Sequence, residues 1–348
     1  MARGDRNLGW PGFFRLFTVL CAVVLLLAQG GQELAGVSAG DRQVLEVYEG
    51  LTCWTVPALF MLWGMFALEG GKPRASACLL GLALPAFCLL VFWGAVYAAV
   101  SYLLAGGTLT PAGVWAALAS AAKGNTYFHL WVLYPLIGLY LVHPVLHRFT
   151  ASAGRGEVRY FLGLCFLFAN LLPLWSAFFP DSVVAAQLER LGVHLALGWA
   201  GCYVGGWYLR HYTIGRVPEF LLYGLGALGL VLTLMGPRLI GGTRELWQQY
   251  TAPNVVLTAA ALCALFRYVL GVSEERSRRQ RVSGVAKISF GIYLVHVFFL
   301  ILLRHFGITA LSFVPALSVP VLSAAVFLGS FTVAWPLSKL PLAGKYLT

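Results

Sequence analysis

Acidic side chains are scarce in this chain, and they are missing where ion-coupled transport would need them. Only 13 of 348 residues are Asp or Glu, and none lies in the interior of a long apolar run. Proton- or sodium-driven carriers usually hold ionisable groups, often carboxylates, at mid-membrane, because a charge is tolerated there only where it has a task. Their absence argues against such a carrier. Charge of either sign is low, 11% of residues against roughly 25% in soluble domains, which excludes an ordinary soluble fold. Cysteine supplies no framework either: Cys21, Cys53, Cys78, Cys88, Cys165, Cys202 and Cys263 are scattered, with no CxxC pair. They read as small apolar fillers, with neither a disulfide set nor a metal site expected. There is no low-complexity tract, and no internal repeat of the kind that marks many secondary transporters.

What the chain has is apolar length. It is 59% hydrophobic with a mean hydropathy of +0.80, and its apolar runs are long enough to cross a hydrocarbon core, which takes ~20 helical residues each. The expected fold is an all-α integral membrane protein, a single domain over 1–348 built as a bundle of about ten transmembrane helices. The spans fall near 13–30, 51–68, 78–104, 128–147, 160–179, 193–211, 219–236, 252–271, 286–304 and 312–337. The third is the longest, with a tilt or kink expected at Pro85. The first could pass for a secretory signal, but no small-x-small cleavage site convincingly follows it and the span count needs it, so it is kept as a helix. The longest connections lie near 31–50, 105–127 and 272–285.

Charge then orients the bundle, because short cytoplasmic loops are enriched in Lys and Arg. With the N-terminus inside, only Arg42, Lys123, Arg190, Arg238, Arg244 and Arg304 of the 24 basic residues fall on the outer side. Both termini are therefore expected in the cytoplasm. The net charge of +11 follows from that asymmetry and gives no argument for nucleic acid.

Two glycine motifs are read as packing. Gly224-Leu-Gly226-Ala-Leu-Gly229 matches GxGxxG but lies inside the seventh span, with no strand before it and no acidic residue at the expected distance after it. Gly201-Cys-Tyr-Val-Gly205 is a small-xxx-small face that lets helix backbones approach.

Polar residues inside the spans are few enough to weigh singly. In "YFHLWVLYPLIGLYLVHPVLHRF" (127–149), 100° per residue puts His129, Leu133, Leu136, Tyr140, His143 and His147 on one stripe. His129 is expected at the external end of that span, in a water-accessible vestibule where an imidazole could accept a proton. His143 and His147 are expected at the cytoplasmic headgroup level. In "KISFGIYLVHVFFL" (287–300), Ser289, Tyr293 and His296 form a second stripe, with His296 near mid-depth; an interhelical hydrogen bond and a reactive site are both open for it. Arg15 opens the first span, where it could snorkel to the interface. The basic run "EERSRRQRVSGVAK" (274–287) is a positive-inside loop or a landing site for a phosphorylated cytosolic donor.

Six stretches in consistent order resemble the acyltransferase-3 membrane proteins, and within them the O-acetyltransferases of bacterial surface polysaccharides. These are "VPALFMLWGMFAL" (56–68), "HLWVLYPLIGLYLVHPVL" (129–146), "GWAGCYVGGWYL" (198–209), "APNVVLTAAALCALFRYV" (252–269), "SFGIYLVHVFFL" (289–300) and "LPLAGKYL" (340–347). The resemblance implies ten helices with cytoplasmic termini. It also implies an acyl-CoA donor, acetyl-CoA foremost, as substrate with no bound cofactor or metal. The acceptor would be a hydroxyl of a carbohydrate or glycolipid. On that footing His129 and His296 are the candidate catalytic residues, and Arg15, Tyr293, Tyr140 and Trp131 the candidate substrate contacts.

The chain departs from the family pattern at defined places. The family commonly carries Arg, ten residues and then His in span one, the two about 16.5 Å apart along the axis; here Arg15 is present and the second position is Leu26. The paired arginines entering span three are replaced by Cys78 and Gly81, and the Ser usually preceding Gly64 is Trp63. Two readings follow: an active acyltransferase in which His129 or His296 supplies the base, or a family member that binds or moves a glycolipid without acyl transfer.

Overall fold

The computed structural model describes residues 9–70, 75–104, 106, 110–122, 128–192, 197–270 and 288–340. Among them there is no strand, and the protein is an all-α membrane protein. In chain order the helices are α1 (Trp10–Gln32), α2 (Ala39–Thr52), α3 (Thr55–Ala67), α4 (Ala75–Leu104) and α5 (Pro111–Ala122). A 3₁₀ turn, Phe128–Val132, leads into α6 (Leu133–Ser152), followed by α7 (Arg155–Phe178), α8 (Val183–Leu191), α9 (Ala200–His211) and α10 (Arg216–Leu239). The series closes with α11 (Arg244–Gln248), α12 (Pro253–Tyr268), α13 (Ser289–His305) and α14 (Pro315–Leu337). Among the described residues, eight helical stretches are long and apolar enough to cross a membrane; α13, with 17 residues, is a shorter apolar helix.

The helices cluster into two compact units. The first comprises Met1–Leu25, Gln43–Lys72 and Val145–Lys287; the second comprises Leu26–Arg42, Pro73–Pro144 and Ile288–Thr348. In the first unit α3 crosses α9 where two glycines face opposite backbones. A Cβ on Gly64 would lie 1.8 Å from the Tyr203 carbonyl oxygen, and one on Gly206 would lie 1.9 Å from the Met61 oxygen. Small residues permit this approach, which van der Waals packing stabilises in the absence of a hydrophobic drive between helices in lipid. Phe60 stacks on Trp199 beside the crossing, ring centroids 4.2 Å apart.

The GxGxxG stretch is helix packing, on α12. A Cβ on Gly226 would meet the Ala261 Cβ at 2.2 Å, and one on Gly229 the Asn254 carbonyl oxygen at 2.4 Å. A buried polar network ties the same pair. Asn254 Nδ2 donates to Thr233 Oγ1 (2.8 Å) and to the Trp247 carbonyl (2.7 Å), and Thr258 Oγ1 donates to the Gly226 carbonyl at 3.1 Å. Interhelical hydrogen bonds in membranes contribute about 0.6 kcal/mol on average and up to about 1.7. Asn254→Leu, which cuts two of them, is expected to cost about 1 kcal/mol, read as a lowered unfolding midpoint in detergent with no loss of helix content.

In the second unit α13 packs along α14, and α4 pairs with α5. Thr110 caps α5, its Oγ1 accepting from the Gly113 N–H at 3.1 Å, and Pro111 fills the first helical position, where a missing N–H costs nothing. Both α4 and α7 contain a π-helical turn, Leu79–Ala83 and Phe166–Leu171 respectively.

The stretch near 31–50, expected as a connection, is helical from Ala39. In α2 Leu45, Gly50 and Thr52 are buried, while the apolar Val47 and Leu51 are exposed. Ser38 caps α2: the Asp41 N–H donates to Ser38 Oγ (3.0 Å), and Ser38 Oγ donates to the Asp41 carboxylate (2.7 Å). Its part-buried glutamates have a partner within the first unit, where Arg244 meets Glu46 at 2.8 Å and Glu49 at 3.8 Å. The run 274–287 and residues 341–348 lie outside the described residues, as do Arg3, Arg6, Lys72 and Arg74, so the orientation stays an expectation from charge.

Candidate active site

Three elements of the second unit bring aromatic and imidazole rings together. The 3₁₀ turn carries His129, α13 carries Tyr293 and His296 one turn apart, and α4 carries Trp93 and Tyr97 one turn apart. The His129 and His296 ring centroids are 5.4 Å apart at 76°. Tyr97 stands edge-on to His129 at 5.0 Å and 90°, backed by Trp93 at 5.8 Å. Tyr293 completes the ring set, 6.1 Å from His129 and 5.3 Å from His296. All five side chains are buried, His296 and Tyr97 completely.

Backbone carbonyls fix the orientation of this cluster. The Tyr293 hydroxyl donates to the His129 carbonyl at 3.0 Å, tying α13 to the 3₁₀ turn. The Tyr97 hydroxyl donates to the Leu294 carbonyl at 2.5 Å, tying α4 to α13. His296 Nδ1 lies against the Tyr293 carbonyl. A carbonyl only accepts, so Nδ1 carries the proton and, in the neutral ring, the lone pair is on Nε2. That Nε2 is buried and meets no hydrogen-bonding partner among the described residues. A buried polar atom left in that state costs about 1–3 kcal/mol unless a ligand or water completes it.

His129 opens the helical stretch His129–Ser152, at the end of the span where the sequence places it, and it meets the interiors of two other helices. Its ring partners, Tyr97 and His296, lie seven and nine residues inside the ends of α4 and α13, or roughly 10–13 Å at 1.5 Å per residue. It is buried, 1% exposed, rather than lining an open vestibule. The expected stripe holds in register: His143 and His147 are buried as well. Trp131 and Tyr140 are half-buried on the segment that carries His129. Tyr97 and Trp93 were not legible as site residues, since an aromatic in an apolar run has the same signature as core packing.

Arg15 belongs to the first unit. Its guanidinium carbon lies 4.2 Å over the Phe66 ring, and Arg210 approaches the same ring at 4.9 Å. Arg210 is also paired with Glu69 at 3.0 Å and donates to the Met65 carbonyl at 3.4 Å. Two guanidiniums thus share one aromatic ring, and a guanidinium presents several N–H groups of the kind that bind an anion. Leu26 and Cys78 are buried, whereas a Cβ on Gly81 would meet open space. Among the described residues no group of three or more His, Cys, Asp or Glu could hold a metal ion.

The cluster has what acid–base work on a hydroxyl requires: a basic nitrogen of fixed tautomer, a second imidazole beside it, and an aromatic enclosure that excludes water. A family model described as an acyltransferase domain matches residues 8–339. No curated protein and no solved structure matches the chain.

Proposed function

The chain belongs to the acyltransferase-3 family, and from that premise we propose that it moves an acyl group, foremost acetyl, from acyl-CoA to a hydroxyl of a cell-surface polysaccharide or lipid-linked sugar. Membership supports a multi-pass membrane acyltransferase in general; the donor, the acceptor, the O-linked product and a bacterial plasma-membrane location are our reading. The observation that carries it is the buried pairing of His129 with His296, whose Nε2 has no protein partner among the described residues.

In this mechanism His296 Nε2 takes the proton of the acceptor hydroxyl as its oxygen attacks the thioester carbonyl carbon. The C–S bond breaks, the new ester forms, and the departing thiolate takes the proton back from the imidazolium. His129, edge to face with His296, polarises the carbonyl oxygen and holds the neighbouring ring in place. Tyr293 positions both by its bond to the His129 backbone, while Trp131 and Tyr140 contact the acceptor. Arg15, stacked on Phe66 with Arg210, binds donor phosphate through charge-assisted hydrogen bonds.

The test is transfer by purified protein in proteoliposomes given radiolabelled acetyl-CoA and a glycolipid acceptor. Label is expected in the acceptor with the wild type and not with His129→Ala or His296→Ala. Absence of transfer by the wild type would overturn the enzymatic reading, and full transfer by both variants would remove the two residues from it. Leucine at position 26 and the missing span-three arginines favour a second reading, a glycolipid-binding member without chemistry. Transfer that begins only when Leu26→His, Cys78→Arg and Gly81→Arg are combined would select it.

A further inference from the structure

A groove of about 290 Å³ runs along the first unit where α9 meets α7, α10 and α12. Its walls are apolar, among them Leu162, Phe166, Gly205, Leu257 and Ala260, all only part-buried, so the groove opens sideways rather than into a closed core. Helix packing explains why it exists. At Gly201 the helices touch, an added Cβ there coming 2.7 Å from that of Cys165, but one turn on, at Gly205, the nearest atom would be Leu162 Cδ2 at 3.7 Å. From Gly201 to Leu209 the groove follows α9 for about 12 Å at 1.5 Å per residue, close to half of a hydrocarbon core about 30 Å thick.

Its two ends differ. At one end Asn170, in the π turn of α7, is already bonded through Nδ2 to the Thr251 carbonyl at 2.7 Å. At the other, Tyr208 lines the groove and its hydroxyl accepts from Arg155 Nε at 3.2 Å. Arg155 Nη2 also donates to the Thr213 carbonyl at 2.8 Å, and its guanidinium lies over Tyr212 at 5.4 Å. The side chain is therefore held at the mouth with Nη1 unused by these bonds, and a guanidinium presents several N–H groups to a phosphate. Charge places this end at the cytoplasmic face.

We propose that the groove binds one anionic phospholipid of the cytoplasmic leaflet, with an acyl chain along α9 and its phosphate on Arg155. The chain length matches one leaflet and the charge matches the headgroup. Gly205, which by itself indicates only helix packing, here supplies the space. The site does not depend on the transfer reaction.

Purified full-length protein, stripped of lipid in neutral detergent, can be titrated with phosphatidylglycerol or with phosphatidylcholine of the same chains and weighed intact by native mass spectrometry. One phosphatidylglycerol is expected to be retained about tenfold better than phosphatidylcholine. Arg155→Gln is expected to erase that preference and Arg155→Lys to keep part of it. Gly205→Leu, which fills the groove, is expected to lower occupancy of both lipids. Equal retention of the two lipids by the wild type, or an undiminished preference in Arg155→Gln, would overturn the proposal. If Gly205→Leu does not fold, Ala260→Leu fills the opposite wall, and full occupancy in a folded filled variant would overturn it equally.

Discussion

Gly206→Val is expected to be the most damaging single substitution in the first unit. The Cβ it adds would fall 1.9 Å from the Met61 carbonyl oxygen and 2.5 Å from its carbonyl carbon, so the obstruction is backbone, which no rotamer change relieves. The helices must separate, and separation strips contact from Phe60, Met65 and Tyr203, which are fully buried. Overpacking a well-packed core costs about 1–3 kcal/mol and occasionally more, and a clash with main chain belongs at the upper end. Gly64→Ala, meeting Tyr203 oxygen at 1.8 Å, is expected to behave alike. The contrast comes from Gly138 and Gly163, which lie on helices where an added Cβ meets nothing within 4 Å. Alanine there is expected to be neutral or to stabilise by about 0.5–1 kcal/mol through reduced backbone entropy. Thermal unfolding in one detergent, followed by intrinsic fluorescence, separates the two pairs. Equal midpoints for Gly206→Val and Gly138→Ala would show that the α3–α9 crossing carries no stability.

Apolar length marked an all-α membrane protein because it answers to bilayer thickness, which is readable along a sequence. The pairings were less legible. Gly201 and Gly205 could be recognised as a close-packing face, yet the tightest crossing uses Gly206, whose partner Gly64 lies more than a hundred residues away. Helix α2 was obscured by its own charges, although Ser38 offers an N-cap and Asp41 stands in the first turn. The π turns leave no periodic trace that a period of 3.6 would reveal. For the candidate site, Tyr293 and His296 were visible as a stripe because polar groups are costly at that depth, and His129 through the same argument. That these two stripes meet is a tertiary fact. So is the part played by Tyr97, whose hydroxyl reaches a carbonyl on another helix. Glu219, at the start of α10, is buried and accepts from the Tyr223 hydroxyl at 3.0 Å; a carboxylate at a span boundary reads as an interfacial residue until the neighbouring tyrosine is seen to cover it.

His296→Asn is the substitution that separates a chemical from an architectural role for the imidazole. An asparagine amide can still donate to the Tyr293 carbonyl, which His296 Nδ1 meets, but it offers no basic nitrogen in place of Nε2. If Nε2 removes the acceptor proton, kcat for acetyl transfer should fall by about 10²–10⁴, the usual contribution of a positioned base, while the KM for acetyl-CoA stays within about twofold. The loss should sit in kcat because a base acts in the transition state and adds little to ground-state binding. Tyr97→Phe tests positioning instead: it removes one hydrogen bond to the Leu294 carbonyl, a contribution of about 0.5–1.5 kcal/mol, so activity is expected to drop roughly tenfold or less. Arg15→Gln should show the opposite split, a raised KM for acetyl-CoA with kcat largely kept, since the interaction it removes is the same in ground and transition states. Unfolding midpoints for the three variants distinguish lost chemistry from lost structure. Should His296→Asn keep more than about a tenth of wild-type kcat while remaining folded, the proton must leave by another route, and the imidazole pair would be a packing feature of α13 and the 3₁₀ turn.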